Sequence, residues 1–225
     1  MPFRTAMMAS GRGVSIRQTG LLWLTSCVKK MLVPILILVV AVAVTLVGCR
    51  VTRGGYESAP YRAVRSDGPF ELRDYSALTV VETPMVQGGT GADGSFSRLF
   101  RFITGRNEAK QKIAMTTPVF MSGSGSNATM AFVMPAKLKA AEVPRPAEDA
   151  LKVRELEPGR FAVLRFSGGR TAENESKAFG RLKSWMEAQG LRVLSAPVYG
   201  YFDPPWTPAF LRRNEAMLRT EAGLP

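Results

Sequence analysis

The chain has no histidine and only two cysteines among its 225 residues, which removes much of the usual side-chain chemistry. Serine and cysteine triads need a base, most often histidine. Zinc sites built from His and Cys lose their ligands for the same reason. Cys27 and Cys49 both precede the region with strand and helix patterning, so the folded part has neither a disulfide nor a thiolate. Paired acid–base carboxylates are the remaining catalytic option, and no Asp/Glu spacing marks such a pair. The residue types therefore predict binding rather than catalysis. Gly123-Ser124-Gly125-Ser126 lacks the strand–loop–helix context and the Lys-Ser/Thr ending of a nucleotide loop, and reads as a hairpin tip. Arg212-Arg213-Asn214-Glu215 reads as a structural element in which an arginine pairs with an acid such as Asp203.

Charge is unevenly distributed. The formal net charge is +12. Residues 1–49 hold Arg4, Arg12, Arg17, Lys29 and Lys30 and no acid. A basic surplus attracts anionic lipid, nucleic acid or acidic small molecules. No basic stripe is interleaved with stacking aromatics, so nucleic acid is not an expected partner.

Met31–Val47 is apolar except for Thr45. It follows Lys29-Lys30 and ends in Leu46-Val47-Gly48-Cys49. A basic region, an apolar run and a small residue before the cut describe a secretory signal. The LVGC ending resembles a bacterial lipoprotein signal, which predicts cleavage before Cys49, lipidation of that cysteine and a periplasm-facing domain held at the membrane. Arg50 and Arg53 add attraction to anionic headgroups. The alternative is a single uncleaved anchor, for which this run has about the minimum spanning length. Residues 1–27 are an odd preface to a signal, and initiation at Val28 is the expected explanation.

The elements come next. Residues 50–60 read as a polar tether, 61–220 as one domain and 221–225 as a tail. Phe70–Tyr75 and Ala77–Thr83 alternate and are rich in strand formers. Ser95–Thr104 reads as a helix with Phe96, Leu99, Phe100 and Ile103 on one face, capped by Asp93 or Ser95 and stopped at Gly105. Lys112–Met121 and Thr129–Met134 read as strands across the Ser122–Asn127 hairpin. A second series repeats this order. Strands at Leu151–Leu156 and Arg160–Phe166 precede a helix over Thr171–Gln189 with Phe179, Leu182 and Met186 on its buried face. Strands at Arg192–Leu194, Val198–Phe202 and Glu215–Arg219 follow. Two ββαββ-type units with two flanking helices predict an α+β fold with a distorted, mostly antiparallel β-barrel.

An ordered set of motifs resembles the SOUL haem-binding protein family: FELRDY at Phe70–Tyr75, TGRN at Thr104–Asn107, KIAMTTPV at Lys112–Val119 and MAFVMP at Met130–Pro135. PRP at Pro144–Pro146, RFSG at Arg165–Gly168, YFDPPWTP at Tyr201–Pro208 and RRNE at Arg212–Glu215 continue it. The resemblance covers about Tyr61 to Arg219. It implies a barrel formed by duplication and a role in binding haem or a related tetrapyrrole in a shallow apolar groove between the first helix and a loop near the C-terminus. Mapped residue by residue, the groove implies ligand contacts at Phe96, Leu99, Phe100, Tyr201 and Trp206, with Met115 and Met121 as further contacts. Arg98 and Arg101 are placed to meet propionates. Imidazole is a common axial ligand of haem iron and this chain has none, so weak, exchangeable haem binding without a metal ligand is the expectation. The alternatives are another amphipathic anion, such as a lipid or an aromatic metabolite, and an envelope scaffold without ligand.

Overall fold

The computed structural model describes residue 32 and residues 34–40, 55–85 and 93–221. The chain divides into two units, Met1–Gly48 and Cys49–Pro225. In the first, Leu32 and residues 34–40 are helical, and Ile35, Leu36, Ile37 and Leu38 are exposed. No helix among the described residues is long and apolar enough to cross a membrane. Cys49 lies outside the described residues.

Among its described residues the second unit holds eleven strands and two α-helices. The strands of its first half are β1 (Glu57–Ser58), β2 (Arg62–Asp67), β3 (Phe70–Tyr75), β4 (Leu78–Pro84), β5 (Thr116–Thr117), β6 (Val119–Ser122) and β7 (Thr129–Val133). Those of its second half are β8 (Lys152–Leu156), β9 (Gly159–Phe166), β10 (Val198–Tyr201) and β11 (Asn214–Thr220). Helix α1 spans Ser95–Ile103 and α2 spans Ala172–Ala188. One nine-stranded antiparallel sheet runs β2-β3-β9-β11-β10-β6-β7-β4-β8, and β1 pairs with β5 in parallel.

The duplication is explicit in that order. β4, β7 and β6 in one half correspond to β9, β11 and β10 in the other, and β6 pairs with β10 at the junction. The leading strand of each half is exchanged: β3 pairs with β9 of the second half, and β8 pairs with β4 of the first. This is the expected ββαββ duplication and α+β sheet architecture.

Each helix covers a separate apolar cluster. Leu99, Phe102 and Ile103 of α1 pack with Val81, Met130 and Phe132, while Leu182, Trp185 and Met186 of α2 pack with Leu72, Leu164 and Leu218. A third cluster contains no helical residue and occupies the other face of the sheet around Leu78, Val80, Phe120, Val163 and Met217. Period-2 alternation accounts for this: neighbours along each strand serve opposite faces.

Four expectations are corrected. Residues 57–60 are not tether, because Ala59 is buried and its N–H donates to Thr117 O at 2.8 Å. The Lys112–Met121 strand is confined to β5 and β6, divided by Pro118, which has no N–H to give to a ladder. Arg192–Leu194 is irregular, with a backbone bond from Leu194 N to Arg219 O at 2.9 Å. The buried stripe of α1 is Ser95, Leu99, Phe102 and Ile103; Phe96 and Phe100 lie outside it at 39% and 46% exposure.

Candidate functional site

The start of α1 is fixed by Asp93, whose Oδ1 accepts from the Ser95 backbone N–H at 3.1 Å and from Ser95 Oγ at 2.6 Å. Its end is closed by Gly105 at φ 109, a left-handed conformation that glycine adopts without strain. These caps hold Phe96 on the outer shoulder of the helix, where it stacks on Phe100 at 6.0 Å and meets Phe132 edge-on at 5.3 Å.

Facing Phe96 is the Asp203–Arg212 loop, held by its own hydrogen bonds. Arg212 Nε donates to Thr207 O at 2.8 Å and Nη2 to Pro205 O at 2.5 Å. Thr207 N–H donates to Pro204 O at 3.0 Å, and Asp203 Oδ2 accepts from the Arg213 backbone N–H at 2.5 Å. The Arg213 guanidinium pairs with Glu215, at 2.6 Å, so an arginine of this segment does meet an acid, and Asp203 holds the Arg213 backbone.

Between these elements lies a cleft of about 320 Å³. Phe96, Val119, Met121, Met130 and Pro205 make its apolar lining, and Arg170, Tyr201, Asp203, Arg212 and Asn214 its polar side. Arg170 lies with its guanidinium 5.6 Å from the centre of the Tyr201 ring, and burial lowers its pKa from the ordinary arginine value. Tyr201 donates its hydroxyl hydrogen bond to the Glu175 carboxylate, and Tyr199 donates to the Glu175 backbone O at 3.1 Å. Burial first, and then the Glu175 carboxylate, push the Tyr201 hydroxyl above its ordinary pKa.

Of the residues mapped as ligand contacts, the structure brings Phe96 and Tyr201 together in this cleft, along with Met121. Leu99 is fully buried beneath it. Phe100 and Trp206 lie outside the lining, Trp206 at 78% exposure, and Met115 packs against the α1 core. Arg98 turns the other way, with Nε 3.1 Å from Thr83 Oγ1 and Nη2 2.8 Å from Pro84 O. Arg101 is paired with Glu148 at 3.2 Å. The guanidiniums in the cleft are Arg170 and Arg212, which the sequence motifs did not single out for this role. The legible signal was Arg170's place one residue before the Thr171 N-cap of α2; Thr171 Oγ1 accepts from Asn174 N–H at 3.2 Å.

Among the described residues no group of His, Cys, Asp or Glu is arranged to hold a metal ion. The apolar wall and the two guanidiniums suit a broad apolar ligand that carries carboxylates.

The sequence comparison identifies the family to which this fold and cleft belong. The SOUL heme-binding protein family matches residues 56–219, and the chain belongs to that family. The chain is 28% identical over 172 residues to human Heme-binding protein 2, covering 71% of this chain and 82% of that protein. In fold it is similar to the EcmrR C-terminal domain, at TM-score 0.51 and 12% identity, covering 72% of this chain and 98% of that one. It is also similar to a hydrolase from Listeria innocua, at TM-score 0.53 and 10% identity, covering 70% and 94%. The family supports haem or tetrapyrrole binding and is one of binding proteins rather than enzymes.

Proposed function

We propose that this protein is an envelope-anchored, non-catalytic carrier that holds haem or a related tetrapyrrole reversibly in the cleft between α1 and the Asp203–Arg212 loop. The observation that carries the reading is the coincidence of a SOUL-family domain over residues 56–219 with a cleft that is apolar on one side and bears two guanidiniums on the other. Phe96, Val119, Met121 and Pro205 would take the face of the ring, and Arg170 and Arg212 its propionates. A bound haem would supply its iron chemistry, and this chain supplies few means of tuning it. It has no imidazole, and the Tyr201 hydroxyl is engaged by the Glu175 carboxylate. Binding therefore rests on the ring and its carboxylates rather than on the metal.

The test is a titration of the full chain with haemin and with metal-free protoporphyrin, followed by absorbance. The two affinities are expected to agree within about threefold. Haemin binding more than about tenfold tighter would reveal an iron ligand, and no binding of either ring would remove the proposal. Anchoring rests on the Lys29–Cys49 leader and its lipoprotein-like ending, with the domain facing the periplasm.

A further inference from the structure

The sheet has a second cavity, back to back with the first. Along β6, Val119 and Met121 line the cleft under α1, whereas Phe120 and Ser122 line a separate cavity of about 380 Å³ on the opposite face. The alternation continues on β7, where Met130 faces the cleft and Ala131 the second cavity. Every strand of the large sheet except β2 contributes to this second lining, and neither helix does. Its volume is in the range of small-molecule sites, and it is independent of the tetrapyrrole reading.

Its chemistry is graded from floor to mouth. Leu78, Phe120, Phe161 and Met217 give an apolar, partly aromatic floor. The edge-on contact between Tyr75 and Phe161, at 5.7 Å, fixes the orientation of the rings. The mouth carries the carboxylates of Glu82, Glu155 and Glu157 against the guanidiniums of Arg154 and Arg219. Both guanidiniums are engaged. Arg154 Nε is 3.0 Å from Glu82, and Arg219 Nη2 donates to Pro158 O at 2.5 Å while its guanidinium lies 5.7 Å from the Phe161 ring centre. Among the described residues no ion pair engages Glu155 or Glu157. In a chain of net charge +12, an acid-rich mouth over an apolar floor selects against anions and for cations.

We propose that this cavity is a second ligand site, which takes a small amphipathic organic cation: an apolar or aromatic body on the Phe120–Met217 floor and an ammonium or similar head toward Glu155 and Glu157. Its charge preference is opposite to that of the cleft, so the two sites do not compete for one ligand class.

The test uses the full chain with thioflavin T, an aromatic cation whose emission rises when it is held rigid, and with the anion anilinonaphthalene sulfonate. Saturable thioflavin T binding is expected to be at least about tenfold tighter than binding of the anion. E155Q/E157Q alters two exposed side chains and is expected to weaken the cation about fivefold and leave the anion unchanged or slightly tighter. Val198→Phe fills the cavity and is expected to abolish binding while circular dichroism stays native. Equal binding of cation and anion would overturn the proposal, as would undiminished cation binding in E155Q/E157Q. Native-like affinity in a folded Val198→Phe variant would do the same.

Discussion

Glu215 is almost fully buried, and so is Arg73; their side chains are each 1% exposed and meet at 2.7 Å. Burial opposes the charged carboxyl. The hydrogen bonds and charge of Arg73, joined by Arg213, prevail and hold the Glu215 pKa below its ordinary value. Arg73 also donates to Glu71 at 2.8 Å and lies 4.1 Å from the Tyr61 ring centre. A buried pair of this kind is costly to break from one side, because the survivor keeps its charge without its partner. Glu215→Gln is expected to destabilise the fold by about 3–5 kcal/mol in chemical denaturation. At the cleft, Arg170→Gln is expected to weaken protoporphyrin binding about tenfold, the magnitude of one charge-assisted hydrogen bond. Arg98→Gln/Arg101→Gln should leave it unchanged, measured in the same titration. The sequence made Arg98 and Arg101 attractive because they sit three residues apart on a helix. Their actual partners, Thr83, Pro84 and Glu148, are set by tertiary packing that spacing on one helix does not encode.

The elements that announced themselves were those with one strongly patterned face. β3, β9, α2 and β11 fall within a residue or two of the expected bounds because each buries an alternating or helical stripe. β2 gave no such signal: all six of its residues are exposed on the sheet edge, so no burial pattern marks it. In α1 the apolar residues are dense enough that two faces fit a helical period, and the core selects the one holding Leu99 and Phe102. The turn after β6 offers a direct check. Gly123 has φ 77, and a Cβ there would lie 2.2 Å from Asn127 O. Gly123→Ala is expected to cost about 1–3 kcal/mol, seen as a lowered Tm, because neither the backbone conformation nor the space admits a side chain.

At the scale of the molecule, acid should destabilise the domain. Asp74 is held from an ordinary 3.8 down to about 2, chiefly by its hydrogen bond from Arg160 and then by Arg62. A carboxyl lowered in the fold contributes stability that is present above its unfolded pKa and lost as pH falls toward the folded value. Thermal melts are therefore expected to be nearly flat from about pH 7 to 5 and to drop between about pH 4 and 2, with a smaller drop in Asp74→Asn. The proposed anchor makes a separate prediction. Cys49→Ala should abolish incorporation of labelled fatty acid and release the domain from the membrane fraction, read by fractionation.

The exchange of β3 and β8 between the halves has a consequence for origin and assembly. A lone second unit would leave β8 without its strand partner β4, and a lone first unit would keep the β2–β3 pairing but lose β9, which joins β3 to the rest of the sheet. Cut between β7 and β8 and expressed as two polypeptides, the pieces should stay unstructured apart and regain the sheet on mixing. The present chain then reads as an ancient twofold dimer fused into one polypeptide, in which each repeat completes the other.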